Sequence, residues 1–412
     1  MIKKSGGNII MAKVAIMGYG TVGSGVYEII KMNADKLAMS AGEEIELKYI
    51  LDIRDFDDHP EKHLFTKDVK DIIDDSEVKV VAEVMGGLHP AYEFTKELLL
   101  SGKSVVTSNK ELVATYGAEL LEIAEKLNVN YLFEASVGGG IPVLRPMSRC
   151  LAANNIKRVA GILNGTTNYI LYQMITNKKS FDDALADAQA NGYAERNPEA
   201  DIMGYDACRK IAILSSLYSG VEVDYNNITT EGIVDISLDD VGYAAALDSV
   251  IKLIGYSEVM EDGRIYAHVA PMLINNKNIL SGIDDVYNGV LVTGDAVGDV
   301  MFYGAGAGKL PTASAVVADI LDAAIHGERR KIIGWKKAEK NISAPADAKK
   351  FRYFVRTDKT VDEAEKVFGK IDKLDSLADG ETAFITVELS MSELADKKAQ
   401  LGGVKTALRI LD

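Results

Sequence analysis

The sequence is short of several things, and each shortage closes a possibility. It has only two cysteines, Cys150 and Cys208. Two thiols cannot make a disulfide framework, and so few suit a reducing compartment such as the cytoplasm. No apolar run approaches the ~18 residues a membrane-spanning helix needs. The four apolar residues Ile9 to Ala12 are too few for the apolar region of a secretory signal. Met11 opens a better-formed strand, so residues 1–10 read as an extension or an alternative start. Positive charge is in deficit: 46 Lys and Arg against 61 Asp and Glu give −15. Such a chain repels phosphate backbones, which argues against nucleic acid as a partner. His59, His63, His89, His268 and His326 show no metal-ligand spacing. Internal repeats and low-complexity segments are missing too.

What remains is a 412-residue chain of average globular composition, 47% hydrophobic and 26% charged, long enough for two or three domains. Its first half alternates strand-like runs (13–17, 46–51, 78–84, 104–106) with helix-like ones (22–32, 92–100, 112–127). That alternation predicts a parallel α/β sheet. From about Val137 the texture changes to glycine-rich turns and longer helices, such as 181–190 and 205–218. A lysine-rich stretch with Ala-Pro reads as a linker. Beyond it, strands at 352–356, 383–389 and 406–410 and helices at 361–370 and 392–401 outline a compact β-α-β-β-α-β pattern. The boundaries expected are 11–136 with a returning segment at about 301–330, then 137–300, a linker at 331–349, and 350–412.

Gly18-Tyr19-Gly20-Thr21-Val22-Gly23 joins the first strand to the first helix. The first glycine permits the tight turn, the second lets backbone approach a pyrophosphate, and the third lets helix and strand pack closely. The helix N-terminus, at Thr21 and Val22, offers N–H groups to phosphate. In this strand–turn–helix setting the motif predicts a Rossmann-type dinucleotide site. Asp52 and Arg54 fall where the second strand ends. An acid there favours the ribose hydroxyl of NAD and an arginine the 2′-phosphate of NADP, so NADP or NAD stays open.

The other concentration of chemistry is 192–210, where Glu195, Glu199, Asp201 and Asp206 crowd Lys210. Asp206 and Lys210 stand four apart on one helix face. Their spacing alone fits either a solvated ion pair or a working lysine. The apolar run Ile211 to Leu214 that follows buries the helix, and a buried lysine needs a carboxylate partner or a function.

Here a resemblance adds to the reading. The pattern Ala188-x3-Gly192-Tyr193-Ala194-x2-Asn197-Pro198-x2-Asp201-Ile202-x-Gly204-x-Asp206-x3-Lys210 resembles the homoserine dehydrogenase signature. So do Ser108-Asn109-Lys110, the run Glu134 to Pro142, the run Gly161 to Tyr169, and the run Gly304 to Gly308. Arg196 and Asn197 stand where that family commonly has Pro and Asp. The resemblance runs from about Lys13 to Ala324 and implies an NAD(P)-dependent oxidoreductase of threonine, methionine and isoleucine biosynthesis. It would move a hydride between L-homoserine and L-aspartate 4-semialdehyde.

The resemblance also implies roles. Lys210 donates to the carbonyl oxygen, Asp206 orients it, and Lys110 stands near the reacting groups and the cofactor. Its plainer reading is a surface lysine at a strand end. Glu195 would accept the substrate ammonium and Asp201 would partner the lysines or substrate. Gly18, Gly20, Thr21, Val22, Gly23, Arg54, Lys110, Gly192 and Gly308 would bind cofactor. Glu134, Val137, Gly139 and Ile141 would hold a monovalent cation, Na⁺ or K⁺, although the same segment also reads as a glycine-rich hinge. No fused aspartate kinase segment is expected, and a homodimer or homotetramer is, pairing through the second domain with strands such as Ala160 to Leu163.

Residues from about 350 onward resemble an ACT domain, a ferredoxin-like module that implies threonine as effector. The turn after its first strand, Asp358-Lys359-Thr360-Val361, lacks the glycine usual there, which leaves open a module that has lost its ligand. Two rival functions fit these residues less well. A semialdehyde dehydrogenase working through a thioester needs a reactive cysteine in polar surroundings, which neither Cys150 nor Cys208 has. A regulator without chemistry would be expected to lose the Asp206–Lys210 pair.

Overall fold

The computed structural model describes residues 11–326, 330–331 and 333–411; residues 1–10, read above as an extension, lie outside them. The described chain packs into two units. One is made of the chain up to Ala152 with Ser216–Glu222 and Ala305–Glu339, the other of Ala153–Ser215, Val223–Gly304 and the chain from Lys340 onward.

In the first unit β1 (Met11–Met17), β2 (Glu44–Leu51), β3 (Phe65–Thr66), β4 (Val78–Glu83), β5 (Ser104–Thr107) and β6 (Tyr131–Leu132) form a parallel sheet. Its order, β3-β2-β1-β4-β5-β6, is that of a doubly wound dinucleotide fold. Val14, Ala15, Ile16 and Met17 are all fully buried. A strand covered on both faces reads as an unbroken apolar run, and this is why it was legible. The helix Thr21–Met32 lies against the helix Lys309–Ile325. A Cβ on Gly25 would stand 2.7 Å from the carbonyl oxygen of Lys309, so only glycine allows that approach.

In the second unit β7 (Ile156–Ile162), β8 (Thr229–Thr230), β9 (Ser249–Val259), β10 (Ile265–Asn275), β11 (Tyr287–Gly294), β12 (Gly298–Ala305), β13 (Tyr353–Thr357), β14 (Ile371–Leu374), β15 (Thr382–Thr386) and β16 (Val404–Leu411) form one sheet. The order is β12-β11-β7-β9-β10-β16-β13-β15-β14, with β8 also on β10. Ala160–Leu163, expected to support pairing of two copies, falls on β7, an interior strand between β11 and β9.

The last four strands, with the helices Val361–Phe368 and Met391–Leu401, follow a β-α-β-β-α-β course and lie in the order fourth, first, third, second. That is the ferredoxin-like arrangement. The fourth of them, β16, pairs in parallel with β10, so the sheet runs on without a break. β8 and β16 occupy successive stretches of the same edge of β10: His268 and Val269 face Thr229 and Thr230, while Met272 to Ile274 face Arg409 to Leu411.

Candidate active site

In the first unit the carboxyl ends of the parallel strands carry Gly18 to Gly23, Arg54 and Lys110 of the predicted cofactor set, whereas Gly192 lies in the second unit and Gly308 starts the helix Lys309–Ile325. Gly18 has φ +96°, and a Cβ there would meet the Met85 backbone at 2.9 Å. A Cβ on Gly23 would fall 1.9 Å from the Gly18 carbonyl oxygen, whereas one on Gly20 meets nothing within 4 Å. The first and third glycines are therefore demanded by packing, while the second faces open space of the kind a pyrophosphate needs. Gly20 caps the helix Thr21–Met32 with no side-chain hydrogen bond, leaving its first-turn amides to an anion.

The Asp52 carboxylate ties this turn to the end of β2. It accepts the Tyr19 amide at 2.8 Å and the Arg54 side chain at 2.9 Å from both Nε and Nη2. The Arg54 guanidinium beside Asp52 holds that carboxyl well below its usual range, and lies over the Phe56 ring at 5.2 Å.

At the ends of β4 and β5, the buried carboxylate of Glu83 accepts the Thr107 hydroxyl at 2.6 Å and the Met85 amide at 2.9 Å. The Thr107 hydroxyl in turn accepts the Asn109 amide. Asn109 caps the helix Lys110–Leu127 through the Leu112 amide and donates to the Gly87 carbonyl at 2.6 Å. Lys110 is thus the first residue of a firmly held helix start, half-buried.

The segment 134–141 also belongs to this unit. The Glu134 carboxylate, nearly fully buried, accepts the backbone amides of Val143, Leu144 and Arg145 at 2.6, 2.8 and 2.7 Å. It anchors the start of the helix Leu144–Arg149. Gly139 sits so close to the 304–308 turn that a Cβ would fall 2.3 Å from the Gly306 carbonyl oxygen. Gly308, with φ +123°, begins the helix Lys309–Ile325.

In the second unit Asp206 and, through Asn164, Asp201 are drawn to one lysine, while Glu195 and Glu199 are exposed. Asp206 and Lys210 lie on the helix Tyr205–Ser219 and both are buried. The Lys210 ammonium donates to Asp206 Oδ2 and to the Leu163 carbonyl oxygen, both at 2.7 Å. The Asn164 carboxamide donates to Asp206 Oδ2 at 2.8 Å and to Asp201 Oδ1 at 2.7 Å. Asn164 also caps the helix Gly165–Asn177 through the Thr167 amide. This is no solvated ion pair.

Asp201 is half-buried on the short helix Glu199–Ile202. Glu195 is exposed, its backbone carbonyl accepting from Gln189. Gly192, at φ +73°, follows the helix Phe181–Ala190 with open space where a Cβ would be. The Tyr193 carbonyl accepts the Thr166 hydroxyl at 2.6 Å, and its ring meets Tyr169 edge-on at 4.9 Å.

Asn164 lies within the run Gly161 to Tyr169, and the sequence signal for its role is its place directly before a Gly-Thr-Thr helix start. Cys208 is buried, and burial pushes its thiol up, the opposite of what a thioester nucleophile needs. Cys150 is exposed.

Comparison with known proteins agrees with this geometry. Residues 18–134 match the family model described as "Homoserine dehydrogenase, NAD binding domain", and residues 142–321 the one described as "Homoserine dehydrogenase". Homoserine dehydrogenase from Bacillus subtilis is 40% identical over 343 residues, 81% of this chain and 78% of that protein. A crystal structure of a homoserine dehydrogenase from Thiobacillus denitrificans superposes with a TM-score of 0.87 at 33% identity, over 98% of both chains. A hyperthermophilic archaeal homoserine dehydrogenase in complex with NADPH superposes at 0.66 and 27% identity, over 76% of this chain and 98% of that one. With a dinucleotide fold in one unit and a buried Asp–Lys pair in the other, the chain belongs to the homoserine dehydrogenase family, and its activity is the reversible NAD(P)-dependent transfer of a hydride between L-homoserine and L-aspartate 4-semialdehyde.

Proposed function

We propose that Lys210 is the proton donor and charge stabiliser of this reaction. The observation that carries the reading is its buried ammonium, held by Asp206 and the Leu163 carbonyl. When bound, the nicotinamide supplies or accepts the hydride. The carbonyl oxygen of the semialdehyde gains negative charge as the hydride arrives. An ammonium fixed in advance stabilises that charge and can pass on its proton. Asp206 aims the ammonium, and Asn164 keeps Asp206 and Asp201 in place. Glu195 takes the substrate ammonium. Lys110 serves beside the cofactor, with Gly18, Gly20, Thr21, Val22, Gly23 and Gly308 lining its path.

Arg54 supports NADP as a substrate of this chain, and the archaeal NADPH complex points the same way. Asp52, already bound to Arg54, is less available to the ribose hydroxyl of NAD. The Michaelis constants for NADP⁺ and NAD⁺, measured with homoserine by the absorbance of reduced nicotinamide, test this in wild type and Arg54→Ala. A rise confined to NADP⁺ supports it, and equal values for the two cofactors in both proteins refute it.

For a monovalent cation, Na⁺ or K⁺, Glu134 would offer a side-chain oxygen and Val137, Gly139 and Ile141 their carbonyls. Of the Glu134 oxygens, Oε1 accepts two amides and Oε2 one, which leaves Oε2 with acceptor capacity for an ion. Residues 350–412 are proposed as an ACT-like regulatory domain answering to threonine, beside a nucleotide-binding domain at 11–136 with 301–330, a catalytic domain at 137–300 and a linker at 331–349. The ferredoxin-like strand order supports this. A homodimer or homotetramer is proposed, built on a sheet face or an outer strand, since both edges of β7 are taken. Among the described residues no helix is long and apolar enough to cross a membrane; the cytoplasm is the proposed location.

A further inference from the structure

The edge of β10 is handed from β8 to β16, and at the handover stands an ion pair with a direct line to the acidic cluster. Glu231 is the residue after β8, its amide still bonded to the Val269 carbonyl at 2.8 Å. Arg409 opens the pairing of β16 with β10, opposite Met272. Because both strands run parallel to β10, the end of one faces the start of the other. The Arg409 guanidinium donates to Glu231 Oε1 at 2.7 Å and lies 5.7 Å from the Tyr353 ring centre. Arg409 is 4% exposed, so its charge depends on this partner.

Directly after Glu231 the chain leaves the sheet and presses on the loop that carries Asp201. A Cβ on Gly232 would stand 2.4 Å from the Ile202 carbonyl oxygen and 2.8 Å from Met203 Cα. The Ile233 amide donates to that same carbonyl at 2.9 Å. Gly204, at φ +82°, lies near the side chains of Thr230 and Val269. At Gly232 backbone therefore meets backbone, with no flexible side chain between to absorb a shift. The next link is Asp201 itself, held by Asn164, which also holds Asp206.

We propose that Glu231 and Arg409 are positioning residues for the substrate loop: their ion pair fixes where Gly232 and Ile233 leave the sheet, and so where Asp201 stands. Through Arg409 the C-terminal strand acts on substrate affinity without touching substrate. This inference rests on Asp201 belonging to the substrate-facing cluster. Weakening the pair lets the loop sample positions that bind homoserine less well, leaving the cofactor turn alone.

The test is steady-state kinetics of the full chain carrying Glu231→Gln, Arg409→Met, both together, or Arg409→Lys. Glu231→Gln and Arg409→Met should each raise the KM for homoserine roughly two- to thirtyfold, with the KM for NADP⁺ unchanged. The double variant should be no worse than the poorer single one, because both remove one interaction, and Arg409→Lys should recover most of the loss. The Glu231 side chain is 39% exposed and a glutamine there keeps an oxygen to accept from Arg409, so Glu231→Gln is the milder variant, and circular dichroism of each variant establishes its fold before the kinetics are read. An unchanged homoserine KM in Glu231→Gln, or equal shifts for homoserine and cofactor, overturns the proposal. Asp201→Asn run alongside separates the two levels. If it leaves homoserine KM intact, the placing of Asp201 fails; if it raises KM while Glu231→Gln is silent, only the coupling fails.

Discussion

Asn164 donates to the same oxygen of Asp206, Oδ2, that receives the Lys210 ammonium. One carboxylate oxygen thus takes a charged and an uncharged donor, and the second link of Asn164, to Asp201, joins the two acids through one amide. Replacing Asn164 by Asp would turn a donor into a third negative group against two others. Asn164→Asp should lower kcat/KM for homoserine by about tenfold or more, each tenfold being ~1.4 kcal/mol of lost transition-state binding. Kinetics at neutral pH check it, and a variant as active as wild type would show the amide to be only a helix cap.

Lys210→Ala should cut kcat by ~10²–10⁴-fold, the usual contribution of a positioned acid, and leave cofactor affinity in place. Fluorescence titration with reduced cofactor separates the two. Turnover near wild type in a folded variant would remove Lys210 from the chemistry.

Glu195→Gln keeps the shape of an exposed side chain and removes its charge. It should raise the KM for homoserine several-fold with kcat changed less, because a charge-assisted bond to the substrate ammonium is lost. A collapse of cofactor affinity with homoserine KM intact would move Glu195 to another task.

Asp319 gives a prediction about pH. It is buried and accepts the Glu134 amide at 2.8 Å beside the Arg145 guanidinium. Burial pushes its carboxyl up to about 7, against the pull of Arg145. A carboxyl raised on folding binds its proton more tightly in the native state. Its contribution is therefore complete below pH about 4, where the unfolded group titrates, and is lost as pH rises through about 7. Carboxylates held low by partners, Asp52 among them, work in the opposite sense, so the comparison must be with a variant. Asp319→Asn should show a smaller fall, or a larger rise, in Tm than wild type between pH 4 and 7, by scanning calorimetry without ligands. Parallel curves would refute it.

The sequence made some of this legible through local rules. The helix Phe181–Ala190 has the predicted bounds because Ser180 caps it and Asp182 and Asp183 fill its first turn, signals that need no tertiary partner. Asp206 and Lys210 could be placed on one face because helix geometry alone does so. By contrast β3, β6 and β14 are short and owe their existence to a neighbouring strand. Asn164 reaches partners 37 and 42 residues away, a relation no local window contains. The Glu134 carboxylate accepts amides nine to eleven residues on, a structural role that its spacing in the sequence does not announce.

The shared edge of β10 bears on how this chain can be dissected. Cutting it before Phe351 would strip the partner from Met272, Leu273 and Ile274, leaving their backbone donors and acceptors bare along an extended apolar strand. Tyr256, Tyr266 and His268, whose rings lie against Phe351, would be uncovered with it. An open, flat, apolar edge is a template for other chains. A shortened protein would thus report self-association before it reported regulation, and the influence of the last sixty or so residues is better read from point substitutions in the intact chain.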